Sequence, residues 1–124
     1  MIQPLALLLY ERLLPGGQLV NRLQDKGYRV QVLAEPAQLA EQAERDKPLV
    51  VLADLEPRPS LVCEAIGTLK QRDATAHVPV IAFSGAENAP AQEAARAAGA
   101  KLVVHDTAIL VHLDHFLEQA LQLD

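Results

Sequence analysis

Short strand-like runs alternate with helix-like segments along the whole chain, and this alternation constrains the fold more than any other feature. Each run is followed by a segment whose apolar residues recur at helical spacing. Strands that alternate with helices predict a parallel sheet with right-handed crossovers and helices on both of its faces. The strand-like runs are Pro4–Tyr10, Arg29–Leu33, Leu49–Ala53, Val78–Phe83 and Leu102–Val104.

The helical segments between these runs have recognisable ends and apolar faces. Glycine stop signals end the first helix at Gly27 and the fourth at Gly99. Pro48 follows the short second helix, Gln38–Asp46. The third helix, Leu61–Gln71, and the last helix each carry one apolar face. The residues on these two faces are Val62, Ile66 and Leu69, then Leu110, Leu113, Leu117 and Leu121.

The pattern within each run predicts the position of the strand in the sheet. The first and third runs are continuously apolar, as in central strands, whereas Arg29–Leu33 alternates, as in an edge strand. A strand order of 2-1-3-4-5 places the first and third strands in the centre and the second strand at the edge. This order defines a flavodoxin-like doubly wound α/β sheet. The chain contains no repeat or linker, so we expect residues 1–124 to form one domain. We expect the last helix to end within a residue or two of Asp124.

The composition argues against several classes of protein. A net charge of −5 disfavours a basic face for nucleic-acid phosphates. Cys63 is the only cysteine, so no intramolecular disulfide can form, and we expect a cytoplasmic protein. Glu11 and Arg12 interrupt the first apolar run, which we interpret as a buried strand rather than a signal peptide. No run approaches the roughly 20 apolar residues of a membrane span.

In a doubly wound sheet, ligands bind outside the carboxyl ends of the strands, where the strand order reverses between the first and third strands. Carboxylates at this switch point, with a hydroxyl nearby, are the groups of an oxyanion or metal site. The candidates at the strand ends are Tyr10, Glu11, Arg12, Asp54, Leu55, Glu56, Ser84, Gly85, His105 and Asp106.

Three segments carry a resemblance to a known family. They are LVVLAD, which ends at Asp54, VPVIAFSG, which contains Ser84, and AARAAGAKLVV, which leads into the fifth strand. In this order and at this spacing they resemble the receiver domain of two-component response regulators, the CheY-like family, over essentially the whole chain. The resemblance implies the CheY-like (βα)5 fold.

The resemblance also implies roles for individual residues. Asp54 falls at the phosphorylated aspartate, and Ser84 at the hydroxyl residue that hydrogen-bonds the phosphoryl group. Glu11 falls on the second of the two acids that hold Mg²⁺ together with the phosphoacceptor. Glu56 falls where a backbone carbonyl completes the metal site.

Four positions depart from the family pattern, and the usual glycine before the third helix is also absent from EPRPSLV. Tyr10 stands in place of the first acid of the pair, and Leu102 in place of the switch aromatic. His105 and Asp106 stand where the family has lysine and proline, so the ammonium that contacts the phosphoryl oxygens is missing. With fewer acids, we expect Mg²⁺ to bind weakly or not at all.

Arg12 introduces a positive charge next to these departures, and two outcomes are open. Its guanidinium could supply a cation to the phosphoryl site from the first loop. It could instead form a salt bridge with Asp54 and fill the metal position.

The function implied by the resemblance is that of a signalling module in a phosphorelay, a phosphoacceptor or interaction module rather than an enzyme. With its altered site, we expect an atypical receiver that signals through protein contacts. Partners would be a histidine kinase or another signalling protein, with a homodimer through the fourth helix, fifth strand and fifth helix. The alternatives are a flavodoxin-like domain that binds a small ligand such as a flavin, and a structural interaction domain with a vestigial site.

Three further features have simpler interpretations. His112 and His115 lie opposite the leucine stripe, so we assign them to a solvent or partner surface rather than a zinc site. Cys63 is interpreted as a partly buried, inert thiol. The LPGGQ stretch lacks the Walker lysine and the dinucleotide glycine spacing, so we interpret it as a flexible loop rather than a phosphate-binding one.

Overall fold

A computed structural model describes residues 3–56, 58–85 and 88–121. Its centre is a five-stranded sheet of order β2-β1-β3-β4-β5 in which all neighbouring strands are parallel. This confirms the predicted topology. The strands are β1 (Leu5–Leu9), β2 (Arg29–Leu33), β3 (Val50–Asp54), β4 (Val80–Ser84) and β5 (Leu102–His105).

Helices cover both faces of the sheet, as the alternation of elements predicted. They are α1 (Leu13–Asp25), α2 (Leu39–Asp46), α3 (Pro59–Gln71), α4 (Ala89–Ala98), α5 (Asp106–Val111) and α6 (Leu113–Ala120), and a short 3₁₀ helix spans Pro36–Gln38. In the part of the chain that the structure describes, none of these helices is long and apolar enough to cross a bilayer.

The three central strands, β1, β3 and β4, are buried along their whole length. Side chains alternate between the two faces of a strand, so each central strand contributes to two apolar layers. One layer packs against α2, α3 and α4, and it includes Leu7, Val51 and Ile66. The other packs against α1, α5 and α6, and it includes Leu8 and Phe83. The faces of the central strands are therefore covered by helices, and the two ends of these strands are where a ligand can approach them.

The second strand lies at the edge of the sheet, as predicted from its alternating sequence. Most of β2 is exposed, Val32 retains 41% of its accessible surface, and Leu33 is the buried residue of the strand. The opposite edge strand, β5, is half-buried. Edge strands have one neighbour and less cover, which accounts for both patterns.

The single last helix predicted from the leucine stripe is wrong, because the structure divides it into α5 and α6 at His112. The backbone of His112 has φ −114° and ψ 28°, outside the α-helical region. The residues before it, Ile109–Val111, include two β-branched side chains of low helix propensity. Ile109, rather than Leu110, is the fully buried residue of α5. The predicted helix end near Asp124 lies outside the described residues.

The interpretation of LPGGQ as a flexible loop is also wrong, because this stretch lies inside α1. Pro15 falls in the first helical turn, where its missing N–H group leaves no hydrogen bond unmade. Gly16 lies directly against the ring of Tyr10, so that a Cβ atom at this position would overlap the ring. The glycine therefore allows close packing of the helix against the end of β1.

The helix stops predicted at Gly27 and Gly99 are confirmed, with φ values of 90° and 117° respectively. Glycine adopts this left-handed region without steric cost. Helix α2 ends in the same conformation at Lys47, whose φ is 52°. Lys47 is the non-glycine residue with positive φ in the described part of the chain.

Candidate functional site

Strand β3 delivers Asp54 to the carboxyl edge of the sheet, at the switch point between β1 and β3. The register pairs Ala53 with Leu9 of β1 and Asp54 with Phe83 of β4. Flanked by strands on both sides, Asp54 retains only 1% of its accessible surface. A carboxylate in this position needs partners, because burial without hydrogen bonds or an opposite charge is costly.

Arg12 supplies that partner through a bidentate ion pair. Its Nε donates to Asp54 Oδ2 and its Nη2 to Asp54 Oδ1, each over 2.8 Å. A planar guanidinium that faces both oxygens of a carboxylate forms the strongest common type of side-chain ion pair. Of the two outcomes left open by the sequence, the structure shows the salt bridge between Arg12 and Asp54.

Arg12 also reaches a second carboxylate, since its Nη1 donates to Asp106 Oδ2 over 3.4 Å. Arg12 itself precedes the first turn of α1, where the partial positive charge of the helix amino end disfavours a cation. The two carboxylates offset that repulsion. The arginine thus links the ends of β1, β3 and β5.

Burial and hydrogen bonding act in opposite directions on the pKa of Asp54. Burial is the larger effect and raises this pKa above its ordinary value of 3.8. The hydrogen bonds from Arg12 and from the backbone N–H of Glu56 lower it, without cancelling the effect of burial. The hydrogen bond from Arg12 to Asp54 raises the pKa of the guanidinium, so Arg12 stays charged.

Glu11, the second predicted metal-binding acid, is paired with a different arginine. Its Oε2 accepts a hydrogen bond from Arg58 Nε over 2.7 Å. Arg58 also donates to the backbone carbonyl of Ala34 and lies 3.7 Å from a carboxylate oxygen of Glu35. Arg58 therefore connects the loops that follow β1, β2 and β3, and it neutralises Glu11 at the rim of the site.

Glu56, the predicted donor of a metal-binding carbonyl, contacts Asp54 through its amide. Its backbone N–H donates to Asp54 Oδ1 over 3.0 Å. Its carboxylate accepts a hydrogen bond from Asn88 Nδ2 over 2.9 Å, which ties the loop after β3 to the start of α4.

Ser84 ends strand β4 and is fully buried. Its hydroxyl donates to the carbonyl of Gly85 and accepts a hydrogen bond from Gln92 Nε2, both over 3.3 Å. Gln92 also donates to the Gly85 carbonyl over 3.1 Å. The hydroxyl is thereby linked to helix α4.

His105 lies beside Ser84 in the sheet register, at the end of β5. It is exposed and occupies the position before the first turn of α5. The candidates Asp54, Ser84 and His105 thus share one edge of the sheet, as the topology predicted, but they differ widely in exposure.

Tyr10 and the neighbouring side chains close the space beside Asp54. The gap lined by Tyr10, Glu11, Asp54 and Glu56 is too small to admit a sphere of the size of a water molecule. The Tyr10 ring lies over Gly16 at the start of α1. Among the described residues, the space on this side of Asp54 is therefore filled rather than open.

The arrangement does not fit the magnesium ion that the resemblance implies. Mg²⁺ needs several oxygen ligands in octahedral geometry. Both oxygens of Asp54 face the Arg12 guanidinium, and Glu11 is paired with Arg58. Within residues 3–56, 58–85 and 88–121, no cluster of three or more His, Cys, Asp or Glu side chains is arranged to hold a metal ion.

Sequence reasoning did not identify three residues that support the site, namely Arg58, Asn88 and Gln92. Arg58 and Asn88 reach candidate residues that are 47 and 32 residues away in the chain, and Gln92 reaches Ser84 from the following helix, 8 residues away. Polar residues in loops and exposed helix turns give no periodic signal. These pairings emerge only when the topology brings the loops together.

Neither a protein-family model nor a curated protein sequence matches this chain. Solved structures do resemble it closely. The receiver domain of a sensor histidine kinase from Pseudomonas aeruginosa PAO1, with a magnesium ion coordinated in its active-site cleft, has a TM-score of 0.83 at 20% identity. The match covers 97% of this chain and 98% of that one.

Two further structures extend the comparison. A response regulator protein from Burkholderia multivorans has a TM-score of 0.69 at 27% identity, covering 94% of this chain and 96% of that one. The chemotaxis protein CheY4 of Vibrio cholerae has a TM-score of 0.82 at 15% identity, covering 96% and 99% respectively. The five parallel strands in the order 2-1-3-4-5 and the helices between them match these folds. The chain therefore has the CheY-like fold of response regulator receiver domains.

Proposed function

We propose that this chain is an atypical receiver domain of a two-component system, which signals through protein contacts while Arg12 holds Asp54. In this proposal Asp54 occupies the position of a phosphoacceptor but is not phosphorylated by the magnesium-dependent route. The bidentate ion pair between Arg12 and Asp54 carries the proposal. The domain acts as an interaction module rather than an enzyme.

The chemistry of phosphoryl transfer supports this proposal. Transfer to a carboxylate depends on positioning and on neutralising charge, which a divalent cation and a fixed positive group normally provide. Here the guanidinium contacts the oxygens that would attack phosphorus and bind the metal. Tyr10 and His105 replace two further groups of the expected machinery. The ion pair supplies positive charge, but it leaves the carboxylate no free oxygen.

The face that we propose for partners, a histidine kinase or another signalling protein, is formed by α4, β5 and the two helices α5 and α6, which together correspond to the predicted fifth helix. Strand β5 is half-buried rather than covered, and Val111 at the end of α5 keeps 73% of its accessible surface. An exposed large apolar side chain and an incompletely covered edge strand both favour a protein contact. We further propose that the domain acts in the cytoplasm.

Exposure of the protein to a small phosphodonor with Mg²⁺, followed by intact-mass measurement, tests this proposal. We expect no labile phosphoryl adduct on the natural sequence. The triple variant Tyr10→Asp, Arg12→Ala and His105→Lys restores an acid, frees Asp54 and adds an ammonium, so we expect an adduct on that variant. A labile adduct on the natural sequence that Asp54→Asn abolishes would contradict the proposal.

A further inference from the structure

A cavity of about 620 Å³ lies at the opposite end of the sheet from Asp54, where the strands begin. Leu5 opens β1 beside it, and Leu49 and Pro79 precede β3 and β4. Its volume falls within the roughly 300–1,000 Å³ that is typical of sites for small molecules. This end of the sheet is remote from Asp54 and the residues that contact it.

Positive side chains converge on this cavity. Arg29, Lys47, Lys70 and Lys101 line it, together with His77. None of the described lining residues is acidic, although the chain as a whole carries a net charge of −5. The overall charge therefore conceals a local cationic site, which the composition did not predict.

Lys70 is held in position for a ligand. Its aliphatic stem lies against Gly99, where a Cβ atom would come within 2.7 Å of Lys70 Cγ. Its Nζ donates to the backbone carbonyls of Ala76 and Val78. An ammonium has three N–H donors, so one remains for a ligand. Burial lowers the pKa of Lys70 and repulsion from Lys101 lowers it further, and a bound anion would offset both effects.

The helix dipole explains only part of this convergence. Cations are favoured in the last turn of a helix, where Arg22, Arg45, Lys70 and Arg96 lie. Arg29 and Lys47 lie outside the helices, and neither forms an ion pair with an acidic side chain in residues 3–56, 58–85 and 88–121. Lys47 also adopts a left-handed backbone conformation that glycine would adopt at lower cost.

The remaining lining is apolar. Leu5, Leu49 and Leu121 contribute to it along with three prolines, and Leu49 keeps 44% of its accessible surface. A ligand that fits this lining has an apolar or aromatic body as well as an anionic group. We propose that the cavity binds a small phosphorylated molecule of the nucleotide class, with its phosphates on Arg29, Lys47 and Lys70 and its body on the apolar wall.

Calorimetric titration of the full chain with ATP, inorganic pyrophosphate and adenosine tests this proposal. We expect ATP to bind more tightly than either fragment, because it alone supplies both the phosphates and the apolar body. Equal affinities for ATP and pyrophosphate would overturn the role of the apolar wall, and equal affinities for ATP and adenosine would overturn that of the cations. No saturable binding of ATP would overturn the whole proposal.

Matched variants distinguish binding of ATP in the cavity from a general attraction by the positive charges at this end of the molecule. Lys47→Gly removes a cation at a position where glycine suits the backbone, and Arg29→Ser removes one from an exposed edge strand. We expect each to weaken ATP binding by about tenfold, as the loss of a charged hydrogen bond implies.

Arg45→Gln is the control, because Arg45 lies two residues before Lys47 but does not line the cavity. We expect this variant to change the affinity by less than about twofold, since an exposed and screened charge acts weakly. Equal losses in Arg45→Gln and Lys47→Gly would overturn the proposal. Asp54→Asn should bind ATP like the natural sequence, which separates this site from the one at the other end of the sheet.

Discussion

Arg12 and Asp54 form a partly buried ion pair, and the free energy of such a pair depends on the presence of both partners. Removing the arginine leaves a carboxylate that is 1% exposed without its opposite charge. Because the Arg12 side chain itself is 32% exposed, the loss is smaller than for a fully buried pair. We expect Arg12→Ala to reduce the free energy of unfolding at neutral pH by about 2 kcal/mol, measured by urea denaturation.

The double variant Arg12→Ala, Asp54→Asn provides the check on this prediction. With a neutral amide at position 54, the loss of the guanidinium should cost clearly less than it does in the presence of Asp54. Arg58→Ala is the matched control, since Arg58 forms a more exposed pair with Glu11. If Arg12→Ala and Arg58→Ala reduce stability equally, the ion pair with Asp54 does not have the importance inferred here.

The raised pKa of Asp54 predicts a dependence of stability on pH. Between the ordinary value of 3.8 and the higher value in the folded state, the folded protein binds a proton more readily than the unfolded chain. The contribution of Asp54 to stability is therefore fully present below 3.8 and is lost as the pH rises through the folded-state value. We therefore expect the unfolding free energy of the natural sequence, minus that of Asp54→Asn, to decrease as the pH rises over this interval.

Parallel urea titrations of the two proteins across the acidic range would measure this difference, because the titration of other groups largely cancels. A difference that increases with pH would mean that the ion pair lowers the pKa of Asp54 more than burial raises it. That outcome would reverse the predicted direction.

The sequence predicted where Asp54 lies but not which of two roles Arg12 takes. The position of Asp54 follows from the apolar run that precedes it, because a buried parallel strand ends at the ligand edge of the sheet. The Arg12 side chain is directed by Asp54 and Asp106, which lie 42 and 94 residues further along the chain. A local pattern carries no information about such a distant partner.

At the scale of elements, helix α1 packs closely against the end of β1 because Gly16 has no side chain, and a substitution at Gly16 tests the importance of this contact. A Cβ atom at this position would overlap the ring of Tyr10, so helix α1 and the end of β1 would have to separate. We expect Gly16→Ala to destabilise the protein by about 1–3 kcal/mol, as overpacking does, measured by thermal or urea denaturation.

Gly67→Ala is the control for this substitution. Gly67 lies in the interior of α3, and a Cβ atom there would meet nothing within 4 Å. Because alanine favours the helix, this variant should be more stable by about 0.5–1 kcal/mol. Destabilisation of similar size in both variants would show that the contact with Tyr10 is not the cause.

At the level of elements, the strands and their order were predictable and the helix boundaries were less so. Continuous and alternating apolar patterns distinguish central from edge strands directly. Leu113 and Leu117 are buried even though the helix is broken at His112 between α5 and α6. The leucine pattern in the sequence therefore does not distinguish one continuous helix from two. The LPGGQ stretch is helical, and its Gly16 packs against Tyr10, a contact that helix propensities do not include.

At the scale of the whole molecule, the proposed partner face predicts an effect on association. Val111 is 73% exposed at the end of α5. If the domain forms a homodimer through α4, β5, α5 and α6, Val111→Asp should shift it toward the monomer in sedimentation velocity experiments. Leu61→Asp is the control, since Leu61 is also exposed but lies on α3. A similar shift in both variants, or in Leu61→Asp alone, would place the contact elsewhere.

The likeness to receiver domains extends over nearly the whole length of the compared chains, while sequence identity stays between 15% and 27%. The fold is thus shared, while Tyr10 and His105 at the carboxyl edge differ from the pattern that the sequence resemblance implies. Burial of apolar strands determines the architecture, and only a few side chains determine the chemistry of the site. The apolar residues of LVVLAD and VPVIAFSG form such buried strands and so determine the architecture.

A magnesium titration followed by two-dimensional NMR tests the central claim most directly. The backbone amides of Asp54 and Glu56 report on the carboxylate, because Glu56 N–H donates to it. If Arg12 occupies the metal position, these amides should not shift as Mg²⁺ is raised, whereas the Arg12→Ala variant should show saturable shifts. Saturable shifts of both amides in the natural sequence would contradict the claim that Arg12 closes this site to a metal.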